Sequence, residues 1–216
     1  MEETDSGTPP APDEQMPDFA RARAHALDRL ERELSPALCY HSLAHTRDDV
    51  VPAVERLAAA EGIAGEALLL LRTAAYYHDL GFVVQRQDHE VIGAHLAAEA
   101  LPRFGYGPAQ IAQITGMIMA TRLPQTPHTL LEQILADADL DVLGREDFLA
   151  TNERLRVEMA ASGVPASDAD WYRVQLHFLR GHRYWTAAAQ DLRNAQKQRN
   201  IEIMARLLDK SQGPQR

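Results

Sequence analysis

Three segments hold side chains whose types and spacing suit metal chemistry. CYHSLAHTRDDV, residues 39–50, places His41 and His45 on one face of a helical turn. LLLLRTAAYYHDLGF, residues 68–82, carries the adjacent pair His78-Asp79 just before Gly81. Ala75, Ala74 and Leu71 lie three, four and seven residues before His78, which predicts that the pair sits buried at a helix C-terminus. A buried carboxylate beside a buried imidazole is costly unless something compensates it, and a divalent cation is the simplest compensation.

The third segment, ILADADLDVLG, residues 134–144, offers Asp137 and Asp139. Asp139 is flanked at helical spacing by Leu135, Ala136, Val142 and Leu143, whereas Asp137 is flanked by Gln133 and Asp141. The periodicity points Asp139 inward and Asp137 toward the rim. Asp139 is therefore the expected ligand, with Asp137 the second choice. His45, His78, Asp79 and Asp139 form a mixed nitrogen and oxygen set suited to one Mn, Fe, Co, Ni, Zn or Mg ion per chain. With four protein ligands on an octahedral ion, about two positions stay open, as hydrolysis requires.

Taken in order, HTRDDV, YYHDLGF and DADLDVLG resemble the H…HD…D signature of the HD phosphohydrolase superfamily. They are similar in particular to a bacterial branch of predicted metal-dependent HD phosphohydrolases. The likeness extends to Tyr40-His41, His45-Thr46, Leu155-Arg156-Val157-Glu158 and His182-Arg183-Tyr184-Trp185-Thr186, and runs from about residue 39 to about 200. It implies an all-α, single-domain helical bundle of the HD-domain, phosphodiesterase-like type. The implied activity is metal-dependent hydrolysis of a phosphoester in a nucleotide or another small phosphorylated metabolite. Alternatives are a cyclic-nucleotide phosphodiesterase, or a non-catalytic helical protein that binds a nucleotide or partner around a structural metal. Two-metal relatives carry two further histidines. His89 stands where the first belongs, but IMATRLP supplies none for the second, so a complete second site and di-iron oxygenase chemistry lose support. Phe82 replaces the glutamate of the nucleoside 5′-monophosphatase relatives, and that activity loses support too.

In this reading Asp79 is also the base that orients the attacking water, and His41 protonates the leaving oxygen. Arg47, His89, Arg122, His182 and Lys197 are candidates for substrate binding. For each a plainer reading competes: solvated helix residues for the arginines, a core histidine for His182, and an exposed polar stripe for Arg193, Lys197 and Asn200. Cys39 reads as a small buried hydrophobe. Tyr76 and Tyr77 read as packing residues, with one hydroxyl reaching the pocket.

The elements that must position these groups are helical throughout. The chain is rich in Ala, Leu, Glu, Arg and Gln and shows no alternating strand pattern. Helices are expected at about 17–35, 43–61, 65–80, 89–103, 108–122, 128–143, 146–162, 168–186 and 187–209, with Pro52 in or kinking the second. Ser167 and Asp168 are candidate N-caps. The acidic, Pro-rich residues 1–16 read as a disordered tail, 17–210 as one domain and 211–216 as a flexible end. A length of 216 residues and 45% hydrophobic composition suit one such domain. A net charge of −9 without a basic cluster argues against long nucleic acid as a partner, though not against a small phosphorylated substrate. One cysteine, no leader-like start and no apolar run of membrane-spanning length lead to the expectation of a cytoplasmic protein without membrane partners, with a homo-oligomer possible.

Overall fold

The computed structural model describes residues 16–164 and 166–212. The expected tail over 1–16 and end over 211–216 fall almost wholly outside them. Within the described residues the chain forms nine α-helices and no strand. They are α1 (Phe19–Glu33), α2 (Val51–Ala60), α3 (Gly65–Tyr77), α4 (His89–Ala100), α5 (Pro108–Ala120), α6 (Leu130–Asp139), α7 (Phe148–Ala161), α8 (Asp168–Gly181) and α9 (Ala187–Ser211). None of these is long and apolar enough to cross a membrane.

Helix α3 is the axis of the fold. It buries Leu70, Leu71, Ala74, Ala75, Tyr76 and Tyr77, and a helix apolar on so many sides has to be enclosed. Helices α1, α2, α4, α5 and α6 pack around it, and their apolar faces merge into one large core. A smaller core, with Leu143, Phe148, Leu176, Leu179 and Met204, joins the 140–144 turn to α7, α8 and α9. The cleft described below lies between these two cores.

The helix starts are chemically marked. Asp18, Thr129, Ser167 and Thr186 each accept the backbone N–H three residues on. Of the two candidates before α8, Ser167 is the cap.

Several expected helices are shorter than their sequence pattern, and three of these bear on the site. The second does not run unbroken from 43: His45–Val50 is a π turn, in which the Val51 N–H bonds Thr46 O, and the α-helix follows. Pro52 lacks the N–H that would bond Asp48 O, and its ring would crowd that carbonyl, so the wider turn relieves the position. The sixth ends at Asp139 and tightens into a 3₁₀ turn over Asp141–Gly144. The eighth stops at Gly181, with His182 extended, because residues 182–186 are drawn away to start α9.

Candidate metal centre

His45 lies in the first turn of the π segment, while His78 caps the C-terminus of α3 with Asp79 immediately after it. Asp139 is the last residue of α6. Two close approaches fix this arrangement. A Cβ on Gly81 would lie 1.9 Å from the His89 carbonyl oxygen, and one on Gly93 would lie 3.1 Å from that of His78. Only glycine at position 81 lets the start of α4 close down on the His78-Asp79 turn.

Nε2 of His45, Nε2 of His78 and one carboxylate oxygen of Asp79 lie within 4.8 Å of one another, and all three residues are buried. This His-His-Asp cluster could hold a metal. Asp79 Oδ2 is 3.4 Å from His78 Nε2 and 3.7 Å from His45 Nε2. Asp139 Oδ1 is 3.5 Å and 3.3 Å from the same two nitrogens. His78 Nδ1 donates to Ala75 O at 2.8 Å, which turns Nε2 toward the carboxylates.

The cluster fits a cation on its own evidence. Among the described residues, His78 Nε2 and Asp79 Oδ2 are buried without a hydrogen-bond partner. Such groups are seldom left unsatisfied. Burial would push His78 down, yet the adjacent Asp79 and Asp139 carboxylates hold it well above its ordinary value. Burial likewise opposes ionisation of Asp79, and the charge on His78 outweighs it, holding the carboxyl well below its usual range. Asp139 is held at about 2 against its burial by the hydrogen bond from His45 and the close His78 ring. Two carboxylates at this spot demand positive charge, and a divalent ion supplies it without a proton.

The expected orientation of the aspartate doublet is corrected. Asp137 is not the rim residue but the deeper one, at 0% exposure. Its carboxylate accepts the N–H groups of Trp185 and Thr186 and the Thr186 hydroxyl, each at 2.8 Å. Those bonds tie the start of α9 to α6 and exclude Asp137 from the cluster. Asp139 is the one that opens on a cleft.

That cleft has a volume of about 290 Å³, and Asp79, Asp139, Tyr40, His41, His89 and Glu90 line its polar end. His41 Nδ1 is 2.6 Å from Glu158 Oε1, and its Nε2 makes no hydrogen bond among the described residues. Glu158 is fully buried. It also accepts the backbone N–H groups of Tyr40 and His41, at 2.8 and 3.0 Å, and an ion pair from Arg86. This positioning role was visible beforehand only as the glutamate of Leu155-Arg156-Val157-Glu158. Phe82 stands between two histidine rings, with centroids 4.3 Å from His41 and 4.0 Å from His89. His89 bonds Arg86 O through Nδ1 at 3.0 Å, and its Nε2 is 3.7 Å from Asp79 Oδ1 and 3.5 Å from Glu90 Oε1.

The remaining candidates for substrate contact lie elsewhere. Arg47 is exposed and paired with its neighbour Asp48 at 2.8 Å, because its place on the π turn faces outward. Arg122 is exposed and held by Asp88 at 2.6 Å, off the cleft lining. His182 sits below the cleft, edge-on to Tyr184, with both ring nitrogens buried. Lys197 donates to His182 O, Arg193 forks onto Asp141, and Asn200 bonds Leu143 O and Arg145 O. The α9 stripe is thus neither exposed nor aimed at substrate, and it clamps the 140–145 turn from behind. Gly144 permits this, since a Cβ there would meet the Arg193 Cβ at 2.5 Å. Cys39 is half-buried and its thiol donates to Arg154 O at 3.1 Å. Neither tyrosine hydroxyl of the 76–77 pair reaches the cleft: Tyr77 bonds Ala22 O and His25 on the α1 side.

Comparison with known proteins agrees with this geometry. The HD domain family model matches residues 49–141, which include His78, Asp79 and Asp139 and begin just after His45. No curated protein matches the chain. Among solved structures, the crystal structure of a predicted HD superfamily hydrolase from an uncultured Thermotogales bacterium is similar, at 22% identity. The two superpose with a TM-score of 0.60 over 92% of this chain and 95% of that one, and so share a fold. Residues 49–141, which carry the histidine-aspartate pair, thus match the HD domain family, and the chain as a whole has the all-helical fold of that predicted HD superfamily hydrolase.

Proposed function

We propose that the chain is a metal-dependent hydrolase acting on a phosphoester bond of a small phosphorylated metabolite. The observation that carries the reading is the pair of orphaned buried atoms, His78 Nε2 and Asp79 Oδ2, beside an open cleft. A purely structural ion is closed off by protein ligands, whereas here Asp79 and Asp139 both border the cleft. His45, His78, Asp79 and Asp139 would hold the ion. A divalent cation there would lower the pKa of water and polarise a phosphoryl oxygen.

The chain's own groups complete the chemistry. Asp79 Oδ1, on the side of His89, accepts a proton from the attacking water as the new P–O bond forms. His41, fixed through Nδ1 by Glu158, presents Nε2 as the proton donor to the ester oxygen as its bond to phosphorus breaks. The neighbour in the Thermotogales bacterium is itself described as a predicted hydrolase, in line with this reading.

The test is elemental analysis of the purified protein, followed by chelation and reconstitution with Mn, Co, Ni or Mg. Turnover of 4-nitrophenyl phosphate or bis(4-nitrophenyl) phosphate should vanish on chelation and return with at least one ion. A fully metallated protein inert on both esters and on a panel of nucleotides overturns the reading.

A further inference from the structure

Away from the metal-ligand cluster the cleft changes character. Its walls become apolar, with Leu140, Leu143, Phe148, Leu155, Val174 and Phe178. Among the described residues no Lys or Arg lines any part of it. Arg86, which stacks on Phe82, is neutralised by buried Glu158. A charged group entering this half would lose water and find no counter-ion, which is costly. Besides Thr151, whose hydroxyl oxygen accepts from Arg154, a pair of polar side chains interrupts the apolar wall, Asn152 from α7 and Gln175 from α8.

The orientation of that pair is dictated from behind. The Trp171 indole N–H can only donate, and it donates to Asn152 Oδ1 at 2.8 Å. Asn152 must then present its amide nitrogen onward, and Nδ2 donates to Gln175 Oε1 at 2.7 Å. Gln175 is left with its amide N–H groups as the free end, and among the described residues Nε2 makes no hydrogen bond. Trp171 itself does not line the cleft. Three residues thus fix a donor, rather than an acceptor, on a mostly apolar wall.

We propose that this half of the cleft seats the non-reacting body of the substrate: an uncharged, apolar group carrying a hydrogen-bond acceptor that the Gln175 side-chain N–H reads. The proposal rests on the phosphoester reading of the same site. It excludes polyphosphate chains and carboxylate-bearing bodies from that half. Gln175 is a specificity-determining residue here, and Trp171 is a positioning residue acting through Asn152.

Three closely related, non-hydrolysable probes test it: (4-acetylbenzyl)phosphonate, (4-ethylbenzyl)phosphonate and (4-carboxybenzyl)phosphonate, titrated calorimetrically into the Mn-loaded protein. The acetyl probe should bind about fivefold tighter than the ethyl probe, as one net hydrogen bond allows. It should bind about tenfold or more tighter than the carboxylate. Gln175→Leu should abolish the acetyl preference while keeping the discrimination against carboxylate. Trp171→Phe, which frees Asn152 to turn over, should reduce the acetyl preference to about twofold, with thermal melts checking that both variants fold. Equal binding of acetyl and ethyl probes, strongest binding of the carboxylate, or an acetyl preference that survives Gln175→Leu overturns the proposal. Hydrolysis of the matching aryl phosphates is measured separately. Correct binding ranks without turnover support the inference and defeat the hydrolase reading; turnover without the ranks does the reverse.

Discussion

Glu158 and His41, 117 residues apart, meet at 2.6 Å between Oε1 and Nδ1, so that α7 fixes a cleft histidine whose Nε2 makes no hydrogen bond among the described residues. Glu158→Gln keeps the shape of the side chain but weakens its grip on the His41 ring. Turnover should fall about tenfold to hundredfold, with KM little changed. Steady-state kinetics on 4-nitrophenyl phosphate separate this from a general loss of folded protein, which would leave KM and the kcat per folded molecule unaltered.

The same glutamate shapes acid stability. Burial alone would push its pKa up, but the bond from His41 and its charge, the Tyr40 N–H and Arg86 hold it at about 2, below its ordinary value of 4.5. Its contribution is therefore complete above about pH 4.5 and is lost as pH falls toward 2. Glu158→Gln should flatten the stability curve over that interval in urea melts taken at stepped pH. A slope identical to that of the parent protein there would contradict the assignment.

The two aspartates of α6 should separate cleanly. Asp139→Asn is expected to leave the melting temperature of the metal-free protein almost unchanged and to weaken metal binding about tenfold to hundredfold or more. Asp137→Asn should keep its metal but cost about 1–3 kcal/mol, because three hydrogen bonds at the start of α9 lose their full acceptor. Calorimetric melting with and without Mn, alongside metal content, reads both effects. Reversed phenotypes would assign the ligand to Asp137.

His182 offers an opposite kind of change. Burial, aided by the nearby Lys197 charge, depresses its pKa to about 3 from 6.5, so the unfolded chain takes up a proton that the folded one refuses. Stability is lost as pH falls from about 6.5 toward 3. His182→Leu removes two unsatisfied ring nitrogens from among Phe178 and Tyr184. It should stabilise the protein at pH 7 by about 1 kcal/mol, or roughly 2–4 °C in melting temperature, and by more at pH 5. A lower melting temperature at pH 7 in the variant would show that the imidazole is satisfied in a way its surroundings do not provide.

Gly81→Ala should be among the most damaging single changes, costing about 3 kcal/mol or more, since the added carbon collides with backbone rather than with a side chain that can move. Thermal melts and metal content should fall together, because His89 and the His78-Asp79 turn are displaced at once.

Most of the helical architecture was legible from composition and turn residues, as was the burial of His78, which its apolar neighbours at three, four and seven residues foretell. Periodicity misled at Asp137 because it cannot see Trp185 and Thr186, whose N–H groups arrive from another part of the chain and draw that carboxylate inward. It misled again on α9. Arg193, Lys197 and Asn200 make a polar stripe on paper, but carbonyls and a carboxylate at 140–145 and 182 turn it into an interior face. The free cations of the sequence, Arg47 and Arg122, were drawn to adjacent carboxylates that a motif search does not weigh.

The π turn at His45–Val50 carries one residue more than an α-helical path of the same span would need. Remove a single residue between Thr46 and Val50, and an ordinary ladder could close in its place. Everything before it would then swing by about 100° around the helix axis relative to α2. His45 would leave the carboxylates, and His41 would go with it. Length in this stretch is consequently under as tight a constraint as the identity of its histidines, and a tolerated deletion series across residues 36–50 should show a gap there.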